Sequence, residues 1–134
     1  MPELPEVESL RRYLVREGIV GRMIERIDVE SKPSPDKGTG AISGIDRIRG
    51  HTVRSLERRG KQIAAILDEG VLGLHMGMTG RINVLSPNEP TPRFTRVEFL
   101  LVNGDNRLRM VLADPRRWGM VQHFESLDEI FAGM

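Results

Sequence analysis

The fold class of this chain is decided by residues 52–76, which have the sequence TVRSLERRGKQIAAILDEGVLGLHM. Short segments of strand-like composition begin here, are separated by turn residues such as Asp68-Glu69-Gly70, and continue toward the C-terminus. Asn103-Gly104-Asp105-Asn106 is a hairpin signal between the last two. Several short strands at close spacing favour a β-sandwich or a barrel. The predicted strands are residues 52–59, 62–67, 71–76, 81–85, 96–102 and 107–113.

An amphipathic helix is predicted before this β-rich region, over residues 6–17. Pro5 suits the first turn of a helix, and Val7, Leu10 and Leu14 form one apolar stripe at helical spacing. Composition and turn residues predict the remaining elements. They are a strand over residues 22–30, a mobile loop over 31–44, a short helix over 45–48 and a closing helix over 126–131.

The length of 134 residues is typical of one domain, which we place at residues 1–134. The absence of cysteine excludes disulfides, a thiolate zinc site and a cysteine nucleophile within this sequence. The apolar runs are far shorter than the ~20 residues of a membrane span, and the first residues lack the pattern of a signal peptide. We therefore expect a soluble, cytoplasmic protein without a membrane partner.

The basic residues are strongly biased toward arginine, although the formal net charge is only +1. Of the 20 lysines and arginines, 17 are arginine. Arginine binds phosphate and base edges through paired hydrogen bonds, which favours a nucleic-acid partner. A GC-rich genome, whose codons favour arginine, explains the bias equally well, so both alternatives stay open.

Pro2 and Glu3 are the first candidates for chemistry. If Met1 is removed, the chain starts with a secondary amine, and an α-amino group with a pKa of about 8 is partly uncharged at neutral pH. Such an amine attacks carbonyl-like carbons, and a secondary amine then gives a cationic iminium that favours elimination. Glu3 supplies a carboxyl group for proton transfer beside it. The alternative, which the dipeptide alone favours, is an exposed chain start without a function.

Lys61 is the second candidate, at the junction of two predicted strands. It ends the motif Arg58-Arg59-Gly60-Lys61, and the other two lysines lie in the predicted loop. A lysine held on a rigid scaffold binds phosphate or donates a proton. The alternative is a solvated turn.

The segment His75-Met76-Gly77-Met78-Thr79-Gly80 follows a predicted strand and is the third candidate. Glycines on both sides allow Met78 to point outward as an apolar wedge, which proteins that distort DNA insert between base steps. The alternatives are that Met76 and Met78 fill the core and that His75 is structural. The three histidines are far apart in the sequence, so no metal site is predicted.

The fourth candidate is Asp114-Pro115-Arg116-Arg117-Trp118-Gly119, which presents two arginines and the only tryptophan. A guanidinium group beside an aromatic ring is a common means of binding bases and phosphate. The alternative is a structural pair between aspartate and arginine, with Trp118 in the core.

Taken in order, these four motifs resemble those of the formamidopyrimidine-DNA glycosylase family. The opening Pro2-Glu3-Leu4-Pro5-Glu6-Val7-Glu8 is similar to the start of that family, and the three internal motifs follow at about the family's spacing. Leucine at position 4 is typical of this branch, which it resembles more than the endonuclease VIII branch, where glycine is usual at this position. The resemblance covers essentially the whole chain.

The resemblance implies a base-excision repair enzyme that removes oxidised purines, such as 8-oxoguanine and formamidopyrimidines, from duplex DNA and then cleaves the abasic site. It implies that Pro2 attacks C1′ of the damaged nucleotide and forms a Schiff base, with Glu3 as acid and base and Glu6 supporting the site. Lys61 contacts phosphate and assists β-elimination. The residues implied in DNA binding are His75, Met78, Arg116, Arg117 and Trp118, with Arg116 pairing to the orphaned cytosine.

Two local departures from the family's pattern affect these expectations. Trp118 stands where phenylalanine is usual. Arg93-Phe94-Thr95-Arg96 stands where the family has Lys-His-Asp-His, so a phosphate-contacting histidine expected near Phe94 is missing, and Arg93 or Arg96 is a candidate to replace it.

The family's second half, with a helix–two-turns–helix module and usually a four-cysteine zinc finger, is expected to lie outside this sequence. The resemblance therefore implies no cofactor in this chain, a bacterial and nucleoid-associated location, and a functional monomer whose natural docking partner is its own C-terminal half. We expect a β-rich α+β fold: a two-layer antiparallel β-sandwich, an N-terminal α-helix that carries the catalytic terminus, and a second helix near the C-terminus. The alternative function is a catalytically silent module that binds DNA weakly, and an interaction domain unrelated to DNA is the third possibility.

Overall fold

The computed structural model describes residues 4–30, 42–43, 45–76, 80–114 and 120–129, which form two β-sheets around one core, with a helix at the start. One sheet has four strands in the order β1-β7-β8-β6, and the other has five in the order β2-β9-β5-β4-β3. All pairs are antiparallel except β2 with β9. The strands are β1 (Met23–Val29), β2 (Ile42–Ser43), β3 (Val53–Arg59), β4 (Gln62–Leu67), β5 (Val71–His75), β6 (Arg81–Leu85), β7 (Thr95–Asn103), β8 (Asn106–Ala113) and β9 (Met120–Phe124).

The main core lies between the two sheets and is closed at one side by the helix. Phe99 and Leu101 of β7 and Leu72 and Leu74 of β5 are almost fully buried in the same apolar cluster. Burial of apolar surface of this kind is the main source of stability in a domain of this size. The predicted two-layer β-sandwich is therefore confirmed.

Helix α1 (Leu4–Arg16) confirms the predicted N-terminal helix, with bounds shifted by one or two residues. Val7 and Leu14 are buried in the core, and Leu10 packs against it, because the three side chains share one face of the helix. The Tyr13 hydroxyl accepts a hydrogen bond from the backbone N–H of Val84 at 3.0 Å. The helix is thereby fixed to β6 as well as to the core.

Strands β4 and β5 are buried on both faces. Their inner faces enter the main core, while Ala64 and Val71 belong to a second, smaller cluster on the outer face. Ile66, Phe124 and Leu127 pack against that second cluster. This double burial explains why the sequences of these two strands are almost continuously apolar rather than alternating.

Three predictions need correction or qualification. The predicted loop 31–44 contains β2, which pairs with β9, and β9 itself was not predicted. The rest of that loop, residues 31–41 and 44, lies outside the described residues.

At the predicted closing helix, the structure describes a helical turn at Asp128 and Glu129, where the Glu129 N–H donates to the Ser126 carbonyl at 3.3 Å. Residues 130–134 lie outside the described part. Within the described part, α1 is the one α-helix longer than a turn, beside the short 3₁₀ helix Ile45–Ile48.

In the part of the chain that the structure describes, no helix is long and apolar enough to span a bilayer.

Candidate active site

The strand ends on either side of the two internal motifs that carry predicted site residues lie at the same end of the sandwich. His75, the last residue of β5, pairs in register with Met120, the first residue of β9. Arg81, the first residue of β6, pairs with Ala113, the last residue of β8. The described residues that flank positions 77–79 and 115–119 therefore lie together at one end of the two sheets, which we call the site end of the sandwich.

Most of the predicted residues of these two segments lie outside the described part of the chain. Met78, Arg116, Arg117 and Trp118 lie outside the described residues, as do Pro2 and Glu3 at the start of the chain. Met76 is buried in the core, which is the alternative predicted for this methionine. Among the nine predicted site residues, the structure thus describes Glu6, Lys61 and His75.

Lys61 lies in the tight turn that joins β3 to β4. Arg59 and Gln62 are the last pair of this hairpin, so Gly60 and Lys61 form a two-residue turn. Gly60 has a φ of 60°, which the first central residue of a type II′ turn requires and which glycine adopts without a steric penalty. The Lys61 side chain is exposed. Since the neighbouring residue Ile63 pairs with Leu74, the turn lies at the site end, beside His75.

His75 is held in its neutral form by its surroundings. Its side chain is partly buried, and burial lowers the pKa of the imidazole below its usual value because the charged form loses solvation. Neighbouring positive charge, which includes the Lys61 ammonium group, lowers this pKa further. His75 can therefore donate or accept a hydrogen bond at neutral pH without adding a charge.

Glu6 is exposed in the first turn of α1, where the helix dipole favours a carboxylate. It lies at a cleft of about 330 Å³ between α1 and the start of β6, whose walls include Tyr13, Met76 and Arg81. The structure thus brings Glu6 to the loop that follows His75. Glu6, Lys61 and His75 all lie at the site end, next to the beginning of the helix.

Two contacts of Glu8 that were not predicted lie beside this group. Glu8 accepts hydrogen bonds from Arg11 at 2.7 and 3.0 Å and lies 3.6 Å from the Arg58 guanidinium group on β3. The spacing of Glu8 and Arg11, three residues apart on a helix, could have indicated the first pair. No local signal indicates the second, because it joins two elements.

Arg96 is not available to replace the missing histidine contact, contrary to one of the two alternatives in the sequence analysis. It is 4% exposed and lies 3.4 Å from the Glu30 carboxylate, so it forms an ion pair inside the protein. Arg93 is exposed, and its guanidinium carbon lies 5.0 Å from the centre of the Phe94 ring. Phe94 is exposed with a φ of 63°, and its carbonyl accepts a hydrogen bond from Asp114 at the start of the second loop.

In the described ranges, no group of three or more histidine, aspartate or glutamate side chains has the arrangement of a metal site. The chain contains no cysteine. The implied zinc finger of a second half stays a prediction.

The fold and the site together define a class of domain: a β-sandwich whose N-terminal helix begins beside a hairpin lysine, a neutral histidine and two loops between the sheets. Comparison with known proteins is consistent with this class. The model of the formamidopyrimidine-DNA glycosylase N-terminal domain matches residues 1–121. This chain belongs to that family.

Individual relatives agree with the family model. The formamidopyrimidine-DNA glycosylase of Thioalkalivibrio sulfidiphilus is 36% identical over 125 residues, which are 93% of this chain and 44% of that protein. The enzyme of that name from Halalkalibacterium halodurans is 36% identical over 126 residues, or 94% of this chain and 44% of that protein. The chain spans less than half the length of these relatives.

Solved structures give the same result at the level of the fold. A complex between Lactococcus lactis Fpg and DNA containing an abasic site has a TM-score of 0.77 at 25% identity, covering 98% of this chain and 46% of that one. A complex of the same protein with DNA containing FAPY-dG also has a TM-score of 0.77 at 25% identity, and covers 98% of this chain and 47% of that one.

Proposed function

We propose that this chain is the catalytic domain of a base-excision repair glycosylase that removes oxidised purines from duplex DNA and cleaves the abasic site that remains. The observation that carries the proposal is the grouping of Glu6, Lys61 and His75 at the site end, beside the start of the helix that Pro2 and Glu3 precede. Membership of the family and the DNA in the related crystal structures support it. The lesions proposed are 8-oxoguanine and formamidopyrimidines.

In this proposal Pro2 is the nucleophile once Met1 has been removed. Its neutral nitrogen attacks C1′, the bond from C1′ to the base breaks, and the base leaves with a proton. Protonation of O4′ by Glu3 opens the sugar ring and leaves a cationic iminium between the nitrogen and C1′. Loss of a proton from C2′ then allows the 3′ phosphate to leave, which cleaves the strand by β-elimination. Water releases Pro2 in the last step.

The described residues have supporting roles in this scheme. Lys61 binds the phosphate that flanks the damaged nucleotide and assists its departure, since its ammonium group is exposed on a rigid turn. Glu6 supports the amine and Glu3 from the first turn of α1. His75 binds DNA as a neutral hydrogen-bonding group because its pKa is lowered.

The residues of the two loops are proposed to stabilise DNA from which the damaged nucleotide has been flipped out. Flipping costs a few kcal/mol, and side chains that fill the space left in the helix offset part of that cost. Met78 and Trp118 would fill the space, Arg116 would pair with the orphaned cytosine, and Arg117 would bind the backbone. These roles rest on the resemblance.

Damaged double-stranded DNA is therefore the proposed partner, and the proposed functional form is a monomer that docks with its own C-terminal half. Any structural zinc of the whole protein belongs to that half, and no cofactor is proposed for this chain. The second candidate function is a silent module that binds DNA weakly. It is kept as the alternative because the match covers 44% of the relative from Thioalkalivibrio sulfidiphilus.

Excision from a duplex with one 8-oxoguanine opposite cytosine separates these two functions. The purified 134-residue chain, with loss of Met1 verified by intact mass, is incubated with this duplex and with an undamaged control. The proposed function predicts release of the oxidised base and cleavage at its position, and Lys61→Ala is expected to slow the cleavage. Equal, salt-sensitive binding to both duplexes without base release would contradict it and favour the silent module.

A further inference from the structure

The first turns of α1 are tied to strand β3 by a group of charged side chains that we call the Glu8 cluster, comprising Glu8, Arg11, Arg12 and Arg58. Glu8 lies at its centre, because its carboxylate contacts all three guanidinium groups at distances from 2.7 to 3.6 Å. Arg11 also reaches β3 directly and donates to the Leu56 carbonyl at 3.4 Å. The cluster thus links α1 to β3 through two contacts, one from a carboxylate and one from a guanidinium group of the helix.

Arg58 extends this link to the turn that carries Lys61. While its Nε faces Glu8 at 3.6 Å, its Nη1 donates a hydrogen bond to the Gly60 carbonyl at 3.1 Å. Gly60 directly precedes Lys61 in the two-residue turn. One side chain therefore connects the carboxylate on α1 with the backbone next to the lysine.

We propose, on the basis of the function proposed above, that Glu8 and Arg58 are positioning residues that hold the Lys61 turn at a fixed place relative to the start of α1. Pro2 and Lys61 must act on the same nucleotide, one at C1′ and the other at the 3′ phosphate. They belong to elements that are far apart in the sequence. The contact between Glu8 and Arg58 joins the first turns of α1 to the strand that leads into the Lys61 turn.

The character of the cluster fits a positioning role better than a purely stabilising one. Its side chains are partly exposed, and ion pairs of this kind contribute little to stability. Strand β3 is already fixed by its pairing with β4 and by the buried Leu56. The hydrogen bonds from Arg11 and Arg12 lower the pKa of Glu8 to about 2, although partial burial of the carboxylate acts in the opposite direction, so the carboxylate stays ionised at neutral pH. A fixed charge in this place orients the Arg58 fork, which pairs best with a carboxylate in defined geometry.

A double-mutant cycle tests this role. The variants are Arg58→Gln, Lys61→Ala and the two together, and the measurement is the single-turnover rate of β-elimination on a preformed abasic duplex. Arg54→Gln is the matched control, because Arg54 is an exposed arginine on β3 at the end away from the turn. Arg58→Lys and Glu8→Gln complete the set, and the thermal midpoint is recorded for every variant.

We expect Arg58→Gln to slow elimination roughly tenfold or more, as small displacements of reacting groups do. Arg54→Gln should leave the rate unchanged, Arg58→Lys should restore part of it, and Glu8→Gln should resemble Arg58→Gln. Once Lys61 is alanine, Arg58→Gln should have no further effect, because the two residues act through one contact. The thermal midpoint should change little.

Two results would overturn the inference alone. These are an Arg58→Gln rate equal to that of Arg54→Gln, and losses from Arg58 and Lys61 that multiply in the double variant, as two independent effects would. A parent chain with a free Pro2 that cleaves no abasic duplex would instead contradict the proposed function, and the inference with it.

Discussion

His75, at the end of β5, is paired in register with Met120, at the beginning of β9. This pair fixes the ends of two central strands next to each other, so the chain leaves the five-stranded sheet at residue 75 and returns to it at residue 120 at the same end. The two loops are far apart in the sequence. The site is thus assembled by strand pairing, and changes in either loop are expected to affect the same function.

Gly80, which closes the first of these loops, tolerates no larger side chain. Its N–H donates to the Met76 carbonyl at 3.1 Å, and an added Cβ would collide with that carbonyl group, which is backbone and cannot rotate away. We expect Gly80→Ala to lower the free energy of unfolding by about 2–3 kcal/mol, measured by denaturant unfolding. Gly104→Ala is the control, since a Cβ there meets open space and strains only a backbone with a φ of 61°, which costs about 1 kcal/mol. Equal losses in the two variants would contradict the tight turn.

The charge of Lys61 is expected to act on the titration of His75. In the folded chain the pKa of His75 is lowered first by burial and then by positive charge that includes Lys61. Lys61→Gln should therefore raise this pKa, but leave it below the ordinary value of about 6.5, because burial remains. The Cε1 proton shift of His75, followed by NMR as a function of pH, measures it. An unchanged pKa would show that the turn does not approach His75 as described.

The same lowered pKa predicts how stability depends on pH. The folded state binds the His75 proton less readily than the unfolded state, so its contribution to stability is fully present above about pH 6.5. It decreases as the pH falls toward the lower, folded pKa. His75→Gln should flatten this part of the curve of unfolding free energy against pH. A curve of the same slope in the variant would assign the dependence to other groups.

Arg93 and Arg96 are expected to respond to substitution in opposite ways. Arg96→Gln removes a buried charge that lies 3.4 Å from the Glu30 carboxylate, and breaking a buried pair costs about 3–5 kcal/mol. Arg93→Gln removes an exposed charge beside Phe94 and should leave stability unchanged. For DNA binding, the slope of the logarithm of the binding constant against the logarithm of the salt concentration should decrease by about 1 in Arg93→Gln, which is the loss of one phosphate contact. A fully stable Arg96→Gln variant whose DNA binding depends less on salt would contradict this, because Arg96 would then be the arginine that binds phosphate.

The sequence was sufficient to predict elements with strong local signals. The apolar stripe of Val7 and Leu14 and the turn at Gly104 are such signals, and the helix and the hairpin confirm them. Strand β9 was missed because Gln122 and His123 give it a polar composition. It becomes a strand through pairing with β2 and β5, which no local pattern contains.

In the candidate site, too, residues with a local sequence signal were predicted and contacts between distant elements were not. Glu6, Lys61 and His75 were identified from motifs, and their common location follows from the hairpin and from strand register. The ion pair between Arg96 and Glu30 could not be predicted, because Glu30 directly follows β1 and is far from Arg96 in the sequence. The contact of Glu8 with Arg58 was missed for the same reason.

Reduction of the adduct between protein and DNA shows directly whether the Pro2 amine is the nucleophile. The chain is mixed with a duplex containing one abasic site in the presence of borohydride, which converts an iminium into a stable amine, and the trapped peptide is identified by mass spectrometry. We expect an adduct on the N-terminal peptide at Pro2, and no adduct when Met1 is retained or the N-terminus is acetylated. An adduct on Lys61, or one that forms equally with a blocked N-terminus, would contradict it.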